Sequence, residues 1–291
     1  MSQAQSVQAV CVVIGASHAG SLLAVQVRKE GWQGRIVLIS AETQMPYHRP
    51  PLSKAVLSGE KEVDAVLLRP ALLYSNNDIE LRLGEQVTQI DRSEKCVHLA
   101  SGESLAYDKL ALCTGASPRH LPMGEGLAGV HYLRNANDVA GIQSQMEAGK
   151  RAVIVGGGYI GLEVAAVMAE KGLQVSVVEM TDKLLRRVAS PVISDYFRML
   201  HEHHGVRILT NATVESIRDR GAELAVQFAD SSQLVADIVV IGVGVLPETG
   251  LAKAAGLEVA DGIVVDAYMG TSDPDIVAAG AACGLSQFRM P

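Results

Sequence analysis

No two cysteines in this chain are spaced as CxxC. The 291 residues contain four cysteines, Cys11, Cys96, Cys113 and Cys283. No spacing among them marks a zinc site, so no metal centre is expected. Cys11 and Cys113 lie inside apolar, strand-like runs and read as small buried hydrophobes. Long apolar runs are missing too, and none approaches the roughly 20 residues of a membrane span. There is no block of lysine and arginine, and the net charge is −7. That balance argues against nucleic acid and anionic membranes as partners. The opening MSQAQSVQAV lacks a basic n-region, and GASHAG interrupts the apolar stretch after it. A signal peptide is therefore not expected, and the cytoplasm is the expected compartment. His18, His48, His120 and His131 are isolated, and HEHH (201–204) before GVRI reads as a helix end rather than a metal site.

With 48% hydrophobic and 20% charged residues, the composition is globular, neither disordered nor fibrous. The length allows one large or two ordinary domains. Residues 10–24, VCVVIGASHAGSLLA, run from a β-branched strand through Gly15 and Gly20 into a helical pattern. The next strand, RIVLIS (35–40), is followed by Glu42, 22 residues after Gly20. The same plan recurs in AVIVGGGYIGLEVAAVMAEKG (152–172), with Gly156, Gly158 and Gly161 in GxGxxG register. Its second strand, VSVVE, ends on Glu179.

Two such units, each with an acid at that offset, predict two dinucleotide sites. The first glycine makes the tight turn, the second lets a pyrophosphate approach, and the third lets helix and strand pack closely. The helix N-terminus then meets the anion with free N–H groups. The first unit has Ser17 at the second position, a small residue but a departure from the pattern. Glu42 and Glu179 would each accept from an adenosine ribose, and an acid there disfavours a 2′-phosphate, so Glu179 favours NAD over NADP. Arg186 and Arg187 in DKLLRR read as a solvated helix face.

Two matching segments, LAYDKLALCTGASPRHLP (105–122) and ADIVVIGVGVLPET (236–249), read as crossings between domains. The expected fold is α/β, with two Rossmann-like domains and the second inserted in the first. The boundaries expected are 1–118 for the first part of the first domain, 119–246 for the second domain, and 247–291 for the return. Residues 81–100 with ASGESLAY, and the region 206–240, alternate as antiparallel strands and read as a small β-meander in each domain.

The motifs VVIGASHAG, YHRPPLSKAVLSGE, LALCTGASPR, VIVGGGYIGLEVAA, IGVGVLPET and TSDPDIVAAG together resemble one family. It is that of the FAD-dependent NADH:ferredoxin and rubredoxin reductases, of the putidaredoxin reductase and biphenyl dioxygenase ferredoxin reductase type. The resemblance implies a glutathione-reductase-like architecture, FAD and NAD as cofactors, and a ferredoxin- or rubredoxin-like iron–sulfur protein as electron acceptor. It places Gly15, Ser17, His18, Ala19 and Gly20 on the FAD pyrophosphate, with Glu42 on its ribose. Arg49 and Lys54 would lie beside FAD, with Lys54 near the isoalloxazine, and Thr114, Gly115 and Arg119 would lie at the crossover. Gly156, Gly158, Tyr159, Ile160, Gly161, Glu179 and Gly244 would form the NAD(H) site. Glu163 would face the nicotinamide–flavin junction. Lys54 and Glu163 would be the catalytic pair, or else an ion pair that only orients a loop. The stretch YHRPPLS has no cysteine, so a thiol relay is not expected.

The resemblance also implies an aspartate after the glycine of VAAG, where this chain has Ala281. It implies a following helix and a further domain beyond the recorded residues. On this reading FAD is held weakly and NAD(H) normally. The alternative expectation is a truncated or degenerate paralogue that binds NAD(H) with little or no turnover.

Overall fold

The structure, a computed structural model, describes residues 8–284. The residues behind most of the signal-peptide argument, and the ending LSQFRMP, lie outside them. Near-continuous apolar runs form the central strands, buried on both faces, and less covered strands form the edges. In chain order these are β1 (Val10–Ile14), β2 (Arg35–Ser40), β3 (Ile79–Leu83), β4 (Lys109–Leu112) and β5 (Val130–Tyr132). There follow β6 (Arg151–Val155), β7 (Gln174–Val178), β8 (Arg207–Leu209), β9 (Ile238–Ile241) and β10 (Ile276–Ala278). They make two five-stranded sheets, ordered β10-β4-β1-β2-β3 and β5-β9-β6-β7-β8, with every pairing parallel.

Each sheet belongs to its own compact unit. The first unit holds residues up to His48, Val66–Ser117 and those from Leu246 on; the second holds Arg49–Ala65 and Pro118–Val245. The stretch 49–65, read in the sequence as part of the first domain, thus groups with the second. Its anchors there are a hydrogen bond of 2.6 Å from Arg49 Nη1 to the Arg134 carbonyl and one of 2.7 Å from Gln143 Nε2 to the Val56 carbonyl.

The two units repeat one plan to the level of single hydrogen bonds. In each, the glycine strand is central, the acid-bearing strand lies on one side, and the strand before a crossing lies on the other. Asp108 precedes β4 and accepts from the Val10 amide at 2.7 Å, while its own amide donates to the Val10 carbonyl at 2.8 Å. Asp237 precedes β9 and does the same to Arg151, at 2.7 and 2.8 Å. Strand order therefore reverses between β1 and β4, and between β6 and β9. In open α/β sheets the crevice at the carboxyl ends of such strands is where ligands bind.

Each unit also carries a three-stranded antiparallel meander. The first is Val87–Asp91, Cys96–Leu99 and Ser104–Ala106; the second is Val214–Asp219, Leu224–Phe228 and Gln233–Ala236. The expected meanders were drawn too wide, since β3 and β8 are edge strands of the parallel sheets. Among the described residues, no helix is long and apolar enough to cross a membrane.

Candidate functional site

In the second unit, β6 turns at Gly156 into helix α2 (Tyr159–Glu170). Gly156 has φ +112°, and a Cβ there would stand 2.5 Å from the Gly242 carbonyl oxygen. A Cβ at Gly161 would stand 2.1 Å from the Gly156 carbonyl oxygen, so both glycines are required by the protein's own packing. Gly158 is different. Its φ of −83° suits any residue, and a Cβ there would meet nothing within 4 Å. Open ground thus lies before the helix, whose first turn has no acidic residue and no side-chain cap. Its first N–H groups are suited to a pyrophosphate.

Glu179 follows β7 and is tied to the turn. Its Oε2 accepts from the Gly157 amide at 2.8 Å, and its Oε1 accepts from the Thr181 amide and hydroxyl, each at 2.8 Å. The DKLLRR stretch, expected as a helix face, is a run of turns. Leu184 and Leu185 are buried in it, and the Leu185 amide donates to the Gly157 carbonyl. Tyr159 and Ile160, the first helical residues, are exposed. Gly244 closes the far side, where its carbonyl accepts from the Arg119 amide at 2.9 Å.

The first unit repeats this at the start of helix α1 (His18–Lys29). Gly15 has φ +103°, and a Cβ there would stand 2.1 Å from the Cys113 carbonyl oxygen; one at Gly20 would stand 1.9 Å from the Gly15 carbonyl oxygen. Ser17 caps the helix at φ −89°, close to the angle of Gly158, so serine is accommodated without strain. His18 Nε2 and His48 Nδ1 stand 3.2 Å apart. Glu42 accepts from the Tyr47 hydroxyl. Thr114 Oγ1 donates to the Glu248 carbonyl at 2.7 Å, and the Gly115 carbonyl accepts from the Glu248 amide. A Cβ at Gly280 would stand 2.9 Å from Ala19 Cβ. The end of β10 therefore comes up against the start of α1, and the Ala281 side chain beside it is exposed.

The segment 49–65 contributes a constellation to the second unit. Lys54 Nζ pairs with Glu163 Oε2 at 2.7 Å. Ser53 Oγ donates to the same oxygen at 2.5 Å. Ser53 had no signal in the sequence, because neither its spacing nor its type separates it from any turn serine. The expected site residues therefore fall into two sets. Gly15, Ser17, His18, Ala19, Gly20, Glu42, Thr114 and Gly115 lie in the first unit. Arg49, Lys54, Arg119, Glu163, Glu179, Gly244 and the second glycine turn lie in the second.

Burial disfavours the thiolate form of the cysteines. Burial pushes Cys11 up to about 11, and burial, with a smaller effect of Cys283, pushes Cys113 up to about 12. Burial also raises Cys96 and Cys283. HEHH is the end of helix α3 (Pro191–His203). There His201 is buried with its ring nitrogens 2.9 and 3.1 Å from the Phe197 and Leu162 carbonyls.

Residues 9–290 match the family described as pyridine nucleotide-disulphide oxidoreductase. A probable ferredoxin reductase of Castellaniella defragrans is 43% identical over 92% of this chain and 66% of its own length. Putidaredoxin reductase of Pseudomonas putida is 41% identical over 92% of this chain and 65% of its own. The chain thus spans just under two thirds of each relative. The reductase in a covalent putidaredoxin reductase–putidaredoxin complex superposes with a TM-score of 0.90 at 39% identity, covering 94% of this chain and 68% of that one.

Proposed function

The chain belongs to the pyridine nucleotide-disulphide oxidoreductase family, and we propose that it is a flavoprotein passing electrons from NADH through FAD to a ferredoxin- or rubredoxin-type iron–sulfur protein. The duplicated glycine turn carries this reading: two anion-ready helix starts, each built with the same close contacts, suit two dinucleotides. FAD is assigned to the first unit and NAD(H) to the second. FAD would supply the chemistry, taking a hydride from NADH and releasing electrons singly.

What the chain itself supplies is placement. Gly15, Ser17, His18, Ala19 and Gly20 would seat one pyrophosphate, and Gly156, Gly158, Tyr159, Ile160 and Gly161 the other. Glu42 and Glu179 would hold the adenosine riboses. Arg49, Lys54, Thr114, Gly115, Arg119, Glu163 and Gly244 would border the remaining parts of the two cofactors. Burial disfavours the thiolates of Cys11 and Cys113, and no two cysteines are spaced as CxxC. Electron exit to a separate carrier, as the names of the two relatives suggest, fits better than a disulfide relay. A cytoplasmic location is proposed with it. The test is NADH-dependent reduction of a dye, then of a ferredoxin and a rubredoxin, with FAD added and flavin absorbance followed. Reduction of a disulfide substrate in place of either carrier would overturn the reading.

A further inference from the structure

We propose that Ser53 is a positioning residue, fixing the Glu163 carboxylate so that its second oxygen receives the carboxamide N–H of a nicotinamide. This rests on the assignment of NAD(H) to the second unit. Ser53 is the last residue of a short 3-10 turn, Pro50–Ser53, and is only 5% exposed, so its hydroxyl has one place to point. It points at Glu163 Oε2, 2.5 Å away. Lys54 Nζ reaches the same oxygen at 2.7 Å. Two donors on Oε2 leave Oε1 with no hydrogen-bond partner among the described residues. The Glu163 side chain is 29% exposed, so that oxygen is reachable.

Lys54 is the less rigid of the two donors. Its Nζ also donates to the Pro50 carbonyl at 3.2 Å, but the four-carbon stem is flexible and the side chain is 51% exposed. A buried hydroxyl on a proline-fixed turn is the rigid member of the pair. Glu163 lies one helical turn beyond Tyr159, on the same face of α2 just past the glycine turn. A ligand seated on the helix N-terminus therefore passes close to it. The free oxygen accepts only, so its match is an N–H or O–H donor, and the primary amide of nicotinamide is the donor at that end of the dinucleotide.

The probes are NAD+, its 3-acetylpyridine analogue and ADP-ribose, titrated against the whole chain by calorimetry. The analogue carries a methyl in place of the amide nitrogen, so it keeps the ring charge and loses the donor. The wild-type chain is expected to prefer NAD+ over the analogue by about tenfold, the scale of one hydrogen bond to a charged acceptor. Ser53→Ala and Ser53→Cys should bring that ratio close to one, and Ser53→Thr should keep it. ADP-ribose should bind all four proteins alike, which a merely structural defect would not allow. An unchanged ratio in Ser53→Ala and Ser53→Cys overturns the role of Ser53. Failure of ADP-ribose to bind the wild-type chain overturns the nucleotide assignment itself, and the proposal with it.

Discussion

Glu179 accepts three hydrogen bonds within its own unit. A carboxylate has about four acceptor sites, so one remains for a ribose hydroxyl. The acid proposed to select the nucleotide thus also holds the Gly157 amide, and the two roles separate by substitution. Glu179→Gln should cut the NADH-over-NADPH preference about tenfold, since the repulsion of a 2′-phosphate is gone. Glu179→Ala should do the same and also weaken NADH, because the turn loses its anchor. Fluorescence titration with both nucleotides checks this, and an unchanged preference in both variants would remove Glu179 from specificity. The cysteines give the opposite kind of residue-scale expectation. Replacing Cys96 or Cys283 by serine, and buried Cys11 or Cys113 by alanine, should leave NADH-dependent dye reduction unchanged. Loss of activity in a folded, flavin-loaded variant would instead make that thiol part of the electron route.

Among the elements, what could be read in the sequence was what local sterics dictate. Gly15 and Gly156 recur because the strand-to-helix turn needs a positive φ that disfavours any side chain; the carbonyls of Cys113 and Gly242 that also exclude a Cβ there are remote in sequence. The demand on φ fits within a few residues. β3 and β8 escaped because edge strands are covered less: IELRL has one buried residue of five and so alternates like a meander. The stretch 49–65 escaped because single hydrogen bonds such as Arg49 to Arg134 leave no periodicity. The paired aspartates were in plain view in YDKLALCTG and ADIVVIGVG, but their partners are backbone amides remote in sequence. Their effects should differ. Asp237 accepts from the Arg151 amide and twice more from its guanidinium, whereas Asp108 holds the Val10 amide. Asp237→Ala should cost about 1–3 kcal/mol, lowering Tm by roughly 2–10 °C, and Asp108→Ala less. Equal melting shifts would mean that the guanidinium contacts add nothing to stability.

At the scale of the whole molecule, stability should fall off at both ends of the pH range. Lys109, then Lys95, hold Asp275 down at about 2. Its folded value lies below the ordinary 3.8, so its contribution is present above about pH 4 and lost as pH falls toward 2. Cys11 and Cys113 run the other way. With folded values of about 11 and 12 against an ordinary 9, they stabilise below pH 9 and are lost as pH rises toward 12. Melting curves should be flat between these limits, and replacing both buried cysteines by alanine should flatten the alkaline limb. Cofactor binding divides by unit in the same way. Gly280 brings the end of β10 against Ala19, where α1 begins, and Ala281 offers no acceptor there. The family resemblance puts an aspartate at this position, bonded to the ribitol of FAD. One charge-assisted hydrogen bond contributes about 1.5–3 kcal/mol, or 10- to 100-fold in affinity. Ala281→Asp should therefore tighten FAD binding at least about tenfold. NADH should bind as before, because the glycine turn proposed for it and Glu179 lie in the other unit. Separate calorimetric titrations of the two cofactors measure this. Unchanged FAD affinity in the variant would mean that the flavin does not run past Ala281, and that the FAD assignment to the first unit fails beyond the pyrophosphate.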